Sequence, residues 1–289
     1  MRLLALETSG RSGSVAIAEH VPSGKRSETI SDRPQASPLS STVDGDGSIW
    51  IDAMELDPEW GSVKTLGPGV DQLLKRWGWS PSDLDGIAVV QGPGSFTGLR
   101  VGIATAKVMA YALEIPVVAI DTLDVIADQI ALGVSESASE LDCVAVVDAF
   151  RGESFWARYR IVANRWTKVQ ETSITANEKL AAQLIAWESE SKQGNGSETK
   201  PGALRRMVAG PSLNKLRLSF DGVLGERGFM ADSGDWNWEA GSLGIPHATT
   251  VARLGLPRLM KGEVMDLFGL LPKYYRSSAA ELKRDESKR

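Results

Sequence analysis

The stretch Val89-Val90-Gln91-Gly92-Pro93-Gly94-Ser95-Phe96-Thr97-Gly98-Leu99-Arg100 leaves the chain few choices. A short apolar strand over 86–90 meets a loop with two glycines around a proline, and a helical run then continues to Leu113. Gly92 and Gly94 admit positive φ and close backbone approach, and Pro93 stiffens the turn between them. Ser95 or Thr97 can cap the helix. Such a join fits two readings: a helix N-terminus that attracts an anion, or a tight strand-to-helix turn with no ligand.

Within the helix, Gly98, Gly102, Ala106 and Ala110 recur every four residues, a small-residue stripe that lets another helix come close. Leu99, Val101, Ile103, Val108, Met109 and Leu113 lie beside it, and only Arg100 and Lys107 are charged. A helix apolar almost all round is buried on most sides, within its own chain or against a second one. The expectation drawn here is a shared surface. Leu99, Gly102, Ile103, Ala106 and Ala110 would form the contact, with Arg100 and Lys107 at its rim.

The chain opens on a strand over 2–6 and a returning strand over 14–18, joined by the polar turn Glu7-Thr8-Ser9-Gly10-Arg11-Ser12-Gly13. That turn either presents N–H groups and hydroxyls to a phosphate or is an ordinary hairpin loop. Residues 21–46 read as a loosely ordered insertion, after which 49–56 resume the sheet. A helix over 65–77, the organising strand and helix, a strand over 116–120 and a helix to Leu132 give an α/β class with parallel pairing. Near Asp142 the opening form returns as an apolar strand over 143–148, the turn Ala149-Phe150-Arg151-Gly152-Glu153 and a returning strand over 154–159. Two such units imply two lobes of related topology. The expected bounds are 1–125 for the first lobe, with the insertion at about 21–60, then 126–276 for the second, and a charged tail over 277–289. Later expectations are a helix over 176–187, a polar loop over 189–202, strands over 206–210 and 229–232, and helices over 249–260 and 263–268. Trp236-Asn237-Trp238 has no readable period.

Several chemistries lack their residues. The two histidines, His20 and His247, are far apart, so the sequence offers neither a zinc spacing nor a Ser-His-Asp triad. No G-x-x-x-x-G-K-[ST] or G-x-G-x-x-G pattern occurs. The lone Cys143 lies in an apolar run and reads as a buried structural thiol. Glu7, Asp148 and Glu153 at strand ends either position a hydrated magnesium ion or serve their turns. A net charge of −5 argues against autonomous nucleic-acid binding. With no apolar run of membrane-spanning length and no signal peptide, a soluble cytoplasmic protein is expected.

The segments Leu3-Leu4-Ala5-Leu6-Glu7-Thr8-Ser9, Gln91 to Gly102 and Val147 to Ala157 together resemble the TsaB (YeaZ) family, and Pro272-Lys273-Tyr274-Tyr275-Arg276 resembles its closing P-x-Y-x-R segment. Glu7 stands where that family usually has Asp. The resemblance implies the actin/Hsp70-like ATPase (ASKHA) fold, with two duplicated lobes of mixed sheets flanked by helices. It implies a non-catalytic scaffold that dimerises with the TsaD-type transferase in forming N6-threonylcarbamoyladenosine on tRNA. A TsaE-type ATPase would join them, tRNA would be met only through the complex, and a homodimer could form through the same helix. No cofactor is expected beyond a vestigial nucleotide or anion contact at Thr8, Ser9, Gly92, Gly94, Ser95, Thr97, Asp148, Arg151 and Glu153. The alternative is an active ATP-dependent phosphotransferase of the same fold.

Overall fold

The computed structural model describes residues 1–11, 13–22, 37–39, 47–134, 140–193, 205–211, 213–226, 236–273 and 275. In chain order the first elements are β1 (Arg2–Glu7), β2 (Ser14–Pro22), β3 (Ser37–Leu39), β4 (Gly47–Glu55), α1 (Gly61–Arg76), β5 (Gly86–Gly92), α2 (Phe96–Leu113), β6 (Val117–Asp121) and α3 (Thr122–Gly133). They are followed by β7 (Leu141–Phe150), β8 (Glu153–Val162), β9 (Arg165–Ala176), α4 (Asn177–Gln193), β10 (Arg205–Ala209), α5 (Leu213–Glu226), β11 (Trp236–Glu239) and α6 (Ala248–Met260). The chain divides into two units, residues 1–125 with 246–272, and residues 126–245 with 273–289.

The first unit is built on a sheet in the order β3-β4-β2-β1-β5-β6. β2 lies antiparallel between β4 and β1, and β5 and β6 continue the sheet in parallel. Period-two alternation along β1 sorts its side chains onto both faces. Leu4 and Leu6 join Ile87, Val89, Leu66, Leu73, Ile103 and Ala106 under α1 and α2. Leu3 and Ala5 join Ala88, Val90, Val251, Ala252 and Leu256 under α6. A sheet covered on both faces reads as continuous apolar runs, as at 86–90.

The second unit repeats this connectivity. Its sheet runs β11-β10-β7-β8-β9, with β7, β8 and β9 antiparallel and β10 and β11 parallel. In both units the first strand sits between its hairpin partner and a parallel strand; one further strand extends each side, and in the first unit β3 adds a sixth beyond β4. The two lobes are therefore duplicates in topology, an α/β architecture of the actin/Hsp70-like kind. α4 and α5 bury Leu180, Leu184, Leu216 and Phe220 against Val144, Val146, Trp156 and Val208. Trp236 is buried in β11, whose four residues are too few to show a period.

Two expectations are corrected here. Residues 246–272, assigned from the sequence to the second lobe, belong to the first unit. The reason is the inner stripe of α6, where Ala248, Val251, Ala252, Gly255, Leu256 and Leu259 are all buried. Gly255 brings this helix onto the sheet, since a Cβ there would stand 2.5 Å from the Ala88 Cβ. Residues 263–268 are not helical: Gly262, at φ +71°, ends the run, and Met265 then bonds its N–H to the Val117 carbonyl at 2.8 Å. The expected strand at 229–232, the tail at 277–289 and most of the insertion and of the 189–202 loop lie outside the described residues. No helix among the described residues is long and apolar enough to cross a membrane.

Because α6 closes one face of the first sheet, Leu256→Ala should remove about 2–5 kcal/mol of stability. Urea denaturation followed by tryptophan fluorescence reads this, and a loss below about 1 kcal/mol would contradict the assignment of α6 to that core.

Candidate functional site

The glycine loop and the first turn are fitted to each other. β1 ends at Glu7, whose side chain is only 1% exposed, and Thr8 and Ser9 after it are buried as well. Glu7 Oε1 accepts hydrogen bonds from the Ser9 N–H and the Ser9 hydroxyl. Burial pushes the Glu7 carboxyl up to about 7, the charge of Glu55 adds to that, and the two Ser9 bonds pull the other way. The Ser9 carbonyl in turn accepts the Ser95 N–H at 2.7 Å. Ser95 is the N-cap of α2, its hydroxyl accepting from Gly98 N–H at 3.2 Å.

The spacing of glycines records this contact. A Cβ on Gly94 would lie 2.5 Å from the Ser9 carbonyl oxygen, one on Gly98 2.0 Å from the Thr8 carbonyl oxygen, and one on Gly102 2.2 Å from Thr8 Oγ1. Real side chains do not come so close, so the turn fits only where α2 has hydrogens. Gly92 opens the loop at φ +118°, before a cis peptide bond to Pro93. The stripe that suggested a neighbouring helix thus admits the chain's own first turn.

This overturns the assignment of the contact residues. Leu99, Gly102, Ile103, Ala106 and Ala110 are all buried inside the chain. The free side of α2 is the one carrying Phe96, Arg100, Ala104, Val108, Tyr111 and Ala112. Val108 is 68% and Tyr111 72% exposed. The Arg100 guanidinium stacks 3.7 Å from the centre of the Phe96 ring. Lys107 is not a rim charge waiting for a partner: its Nζ bonds the carbonyls of Phe268 and Leu270, each at 3.3 Å.

Those bonds fasten the segment after α6 along α2. Gln91 Nε2 holds the Leu271 carbonyl at 2.8 Å, and Leu270 is fully buried in the core. Phe268, by contrast, is left 76% exposed. Lys107, Val108, Tyr111, Ala112, Leu267 and Phe268 line an open groove of about 360 Å³. Exposed apolar side chains gathered this way mark a contact surface. Sequence reading missed Val108, Tyr111 and Phe268. The two α2 residues had a signal, since they share the side marked by Arg100, but Phe268 is about 160 residues distant.

Of the residues read as anion turns, Thr8, Ser9, Gly92, Gly94 and Ser95 come together, and Thr97 is exposed. The Ser9 N–H is bonded to Glu7 Oε1 and the Ser95 N–H to the Ser9 carbonyl, so both donors serve the turn. Asp148, Arg151 and Glu153 form another group, in the second unit. Asp148 serves its own hairpin, accepting from the Phe150 N–H and pairing with Lys215 at 2.8 Å. Arg151 and Gly152 turn the chain there at φ +55° and +75°. Among the described residues no group of three His, Cys, Asp or Glu could hold a metal ion.

The class defined so far is a duplicated α/β protein of actin/Hsp70-like type with a closed first turn and one exposed apolar helix side. A family model described as TsaD: tRNA N6-adenosine threonylcarbamoyltransferase matches residues 61–222, over half of the chain. The tRNA threonylcarbamoyladenosine biosynthesis protein TsaB of Bacillus subtilis (strain 168) is 28% identical over 230 residues, covering 79% of this chain and 85% of that one. Its namesake from Escherichia coli (strain K12) is 33% identical over 118 residues, covering 39% of this chain and 49% of that one. A solved structure of an uncharacterized protein with similarity to peptidase YEAZ, from Pseudomonas aeruginosa, superposes with a TM-score of 0.62 at 22% identity, covering 95% of this chain and 99% of that one. The chain belongs to the TsaB/YeaZ family, within the larger family which that model describes.

Since Gly102 faces Thr8, Gly102→Leu should destabilise the isolated chain by about 1–3 kcal/mol or more, whereas Val108→Ser on the free side should stay within about 0.5 kcal/mol. Thermal melts of the two variants check the assignment, and the reverse order would contradict it.

Proposed function

We propose that this chain is an accessory subunit that acts with a TsaD-type transferase in forming N6-threonylcarbamoyladenosine on tRNA. The observation that carries the reading is the free side of α2, where Val108 and Tyr111 meet Phe268 on a segment fixed by Lys107. A rigid apolar ridge beside a groove fits a partner helix laid along α2. The names borne by its relatives, with a TsaD-type family model, support a transferase of this type as that partner. Support for a binding role over ATP chemistry comes from the first turn, whose Ser9 and Ser95 donors serve the protein's own fold.

In this reading the chain holds its partner in a working state, and tRNA is met by the assembled complex. A TsaE-type ATPase would join the pair, and a homodimer through the same side of α2 would compete with the transferase. The setting is cytoplasmic, and the chain brings no cofactor of its own.

The test is to mix the purified chain with the TsaD-type protein of the same cell and titrate binding by calorimetry. Val108→Glu and Phe268→Ser should each weaken binding by about tenfold or more without changing the melting temperature of the lone chain. Omitting the chain from a reconstituted reaction should lower threonylcarbamoyladenosine formation. Unchanged affinity in both folded variants would overturn the docking surface, and undiminished product would overturn the accessory role.

A further inference from the structure

The hairpin between β7 and β8 closes with Phe150 opposite Glu153. A two-residue turn of this kind asks for positive φ at Arg151 and Gly152, which have +55° and +75°. Phe150 is at positive φ as well, +62°, where the register shifts after Asp148. An aromatic residue is strained there, and glycine or asparagine takes the same conformation at lower cost. The turn is held from several directions. Phe150 donates its N–H to Asp148 Oδ1 at 2.8 Å, Asn177 its N–H to the Gly152 carbonyl at 2.8 Å, and Ser154 its hydroxyl to Asn177 Oδ1 at 2.7 Å. Burial does not offset the strain, since Phe150 remains 63% exposed.

Cations flank the exposed ring. Lys215 on α5 pairs with Asp148 at 2.8 Å and holds its Nζ 5.9 Å from the ring centre. Arg151, next in the chain, is exposed. Leu218, three residues beyond Lys215 and so on the same side of α5, is 73% exposed. The acidic groups of the turn are Asp148, engaged by Lys215, and Glu153, half-buried opposite Phe150. We propose that this turn binds an unpaired nucleotide of the tRNA, with Phe150 stacked on the base and Arg151 on the adjoining phosphodiester. Every base offers a π-face, and an exposed aromatic ring beside a cation holds single-stranded RNA without reading its sequence. Charge matching favours a backbone phosphate over a free nucleoside triphosphate. Lys215 is largely neutralised by Asp148, so Arg151 carries most of the turn's positive charge, which one phosphodiester meets and a triphosphate exceeds. A net charge of −5 gives the lone chain no long-range pull on RNA, so the contact operates once the complex has brought tRNA close. The identity of the RNA rests on the accessory reading.

Fluorescence anisotropy of labelled tRNA, titrated at several salt concentrations with the chain and its TsaD-type transferase together, tests this. Phe150→Asn should weaken tRNA binding about tenfold. The same variant should leave the melting temperature of the lone chain level or higher, because asparagine relieves the strained turn. Phe150→Tyr, which keeps the stacking face, should retain the wild-type affinity. Arg151→Ala should lower the slope of log K against log salt by about 0.7, a change that Phe150→Asn should not make. Equal affinity and equal slope in wild type and variants would overturn the contact, whether or not the chain is an accessory subunit, which calorimetry with the transferase alone decides. Weaker transferase binding in Phe150→Asn with tRNA affinity unmoved would overturn it too, since the ring would then meet protein.

Discussion

Everything at the functional end of the first unit depends on one steric clearance, the space that Gly94 before α2 and Gly98 and Gly102 on it leave for Thr8 and Ser9. Side chains at Gly94, Gly98 or Gly102 would occupy the volume of the first turn. With hydrogens there, the Ser9 carbonyl reaches the Ser95 N–H, the Ser95 hydroxyl caps the helix, and the direction of α2 relative to β1 is set. The inner side of α2 being fixed in this way, its outer side is also fixed, and Val108 and Tyr111 are presented rigidly. Preorganised apolar surface of that kind loses little freedom on binding.

The same clearance explains a division of labour along one helix. Small residues at four-residue spacing meet the chain's own turn and core, and larger ones on the opposite side meet solvent beside Phe268. Lys107, seven residues from Arg100, was expected at the edge of an interface, and it instead holds two carbonyls after α6 beside the groove lined by Val108 and Phe268. The anion-compatible loop is likewise used inward: the Ser95 N–H bonds the Ser9 carbonyl of the first turn.

Much of the fold was legible from local pattern. The apolar run at 86–90, the glycine loop and the amphipathic α3 gave parallel pairing, and the repeat of strand, acidic end and polar turn gave duplicated lobes. What escaped was set by distance. The stripe of α6 looks the same whether it packs on the first sheet or the second, and only Ala88 and Gly255 in contact decide between them. A small-residue stripe likewise states that something comes near, without stating whether it is a neighbouring helix or a turn from 90 residues earlier. Strand β11 was invisible because four residues at a sheet edge carry no period.

We propose that α2 turns one side to its own chain and the other to a partner. Hydroxyl-radical footprinting of the chain with and without a TsaD-type transferase tests this without altering a residue. Oxidation of Tyr111 and Phe268 should fall sharply on adding the transferase, with Leu99 and Ile103 silent in both states. Full oxidation of Tyr111 and Phe268 in the presence of a bound transferase, with protection appearing elsewhere on the surface, would contradict it.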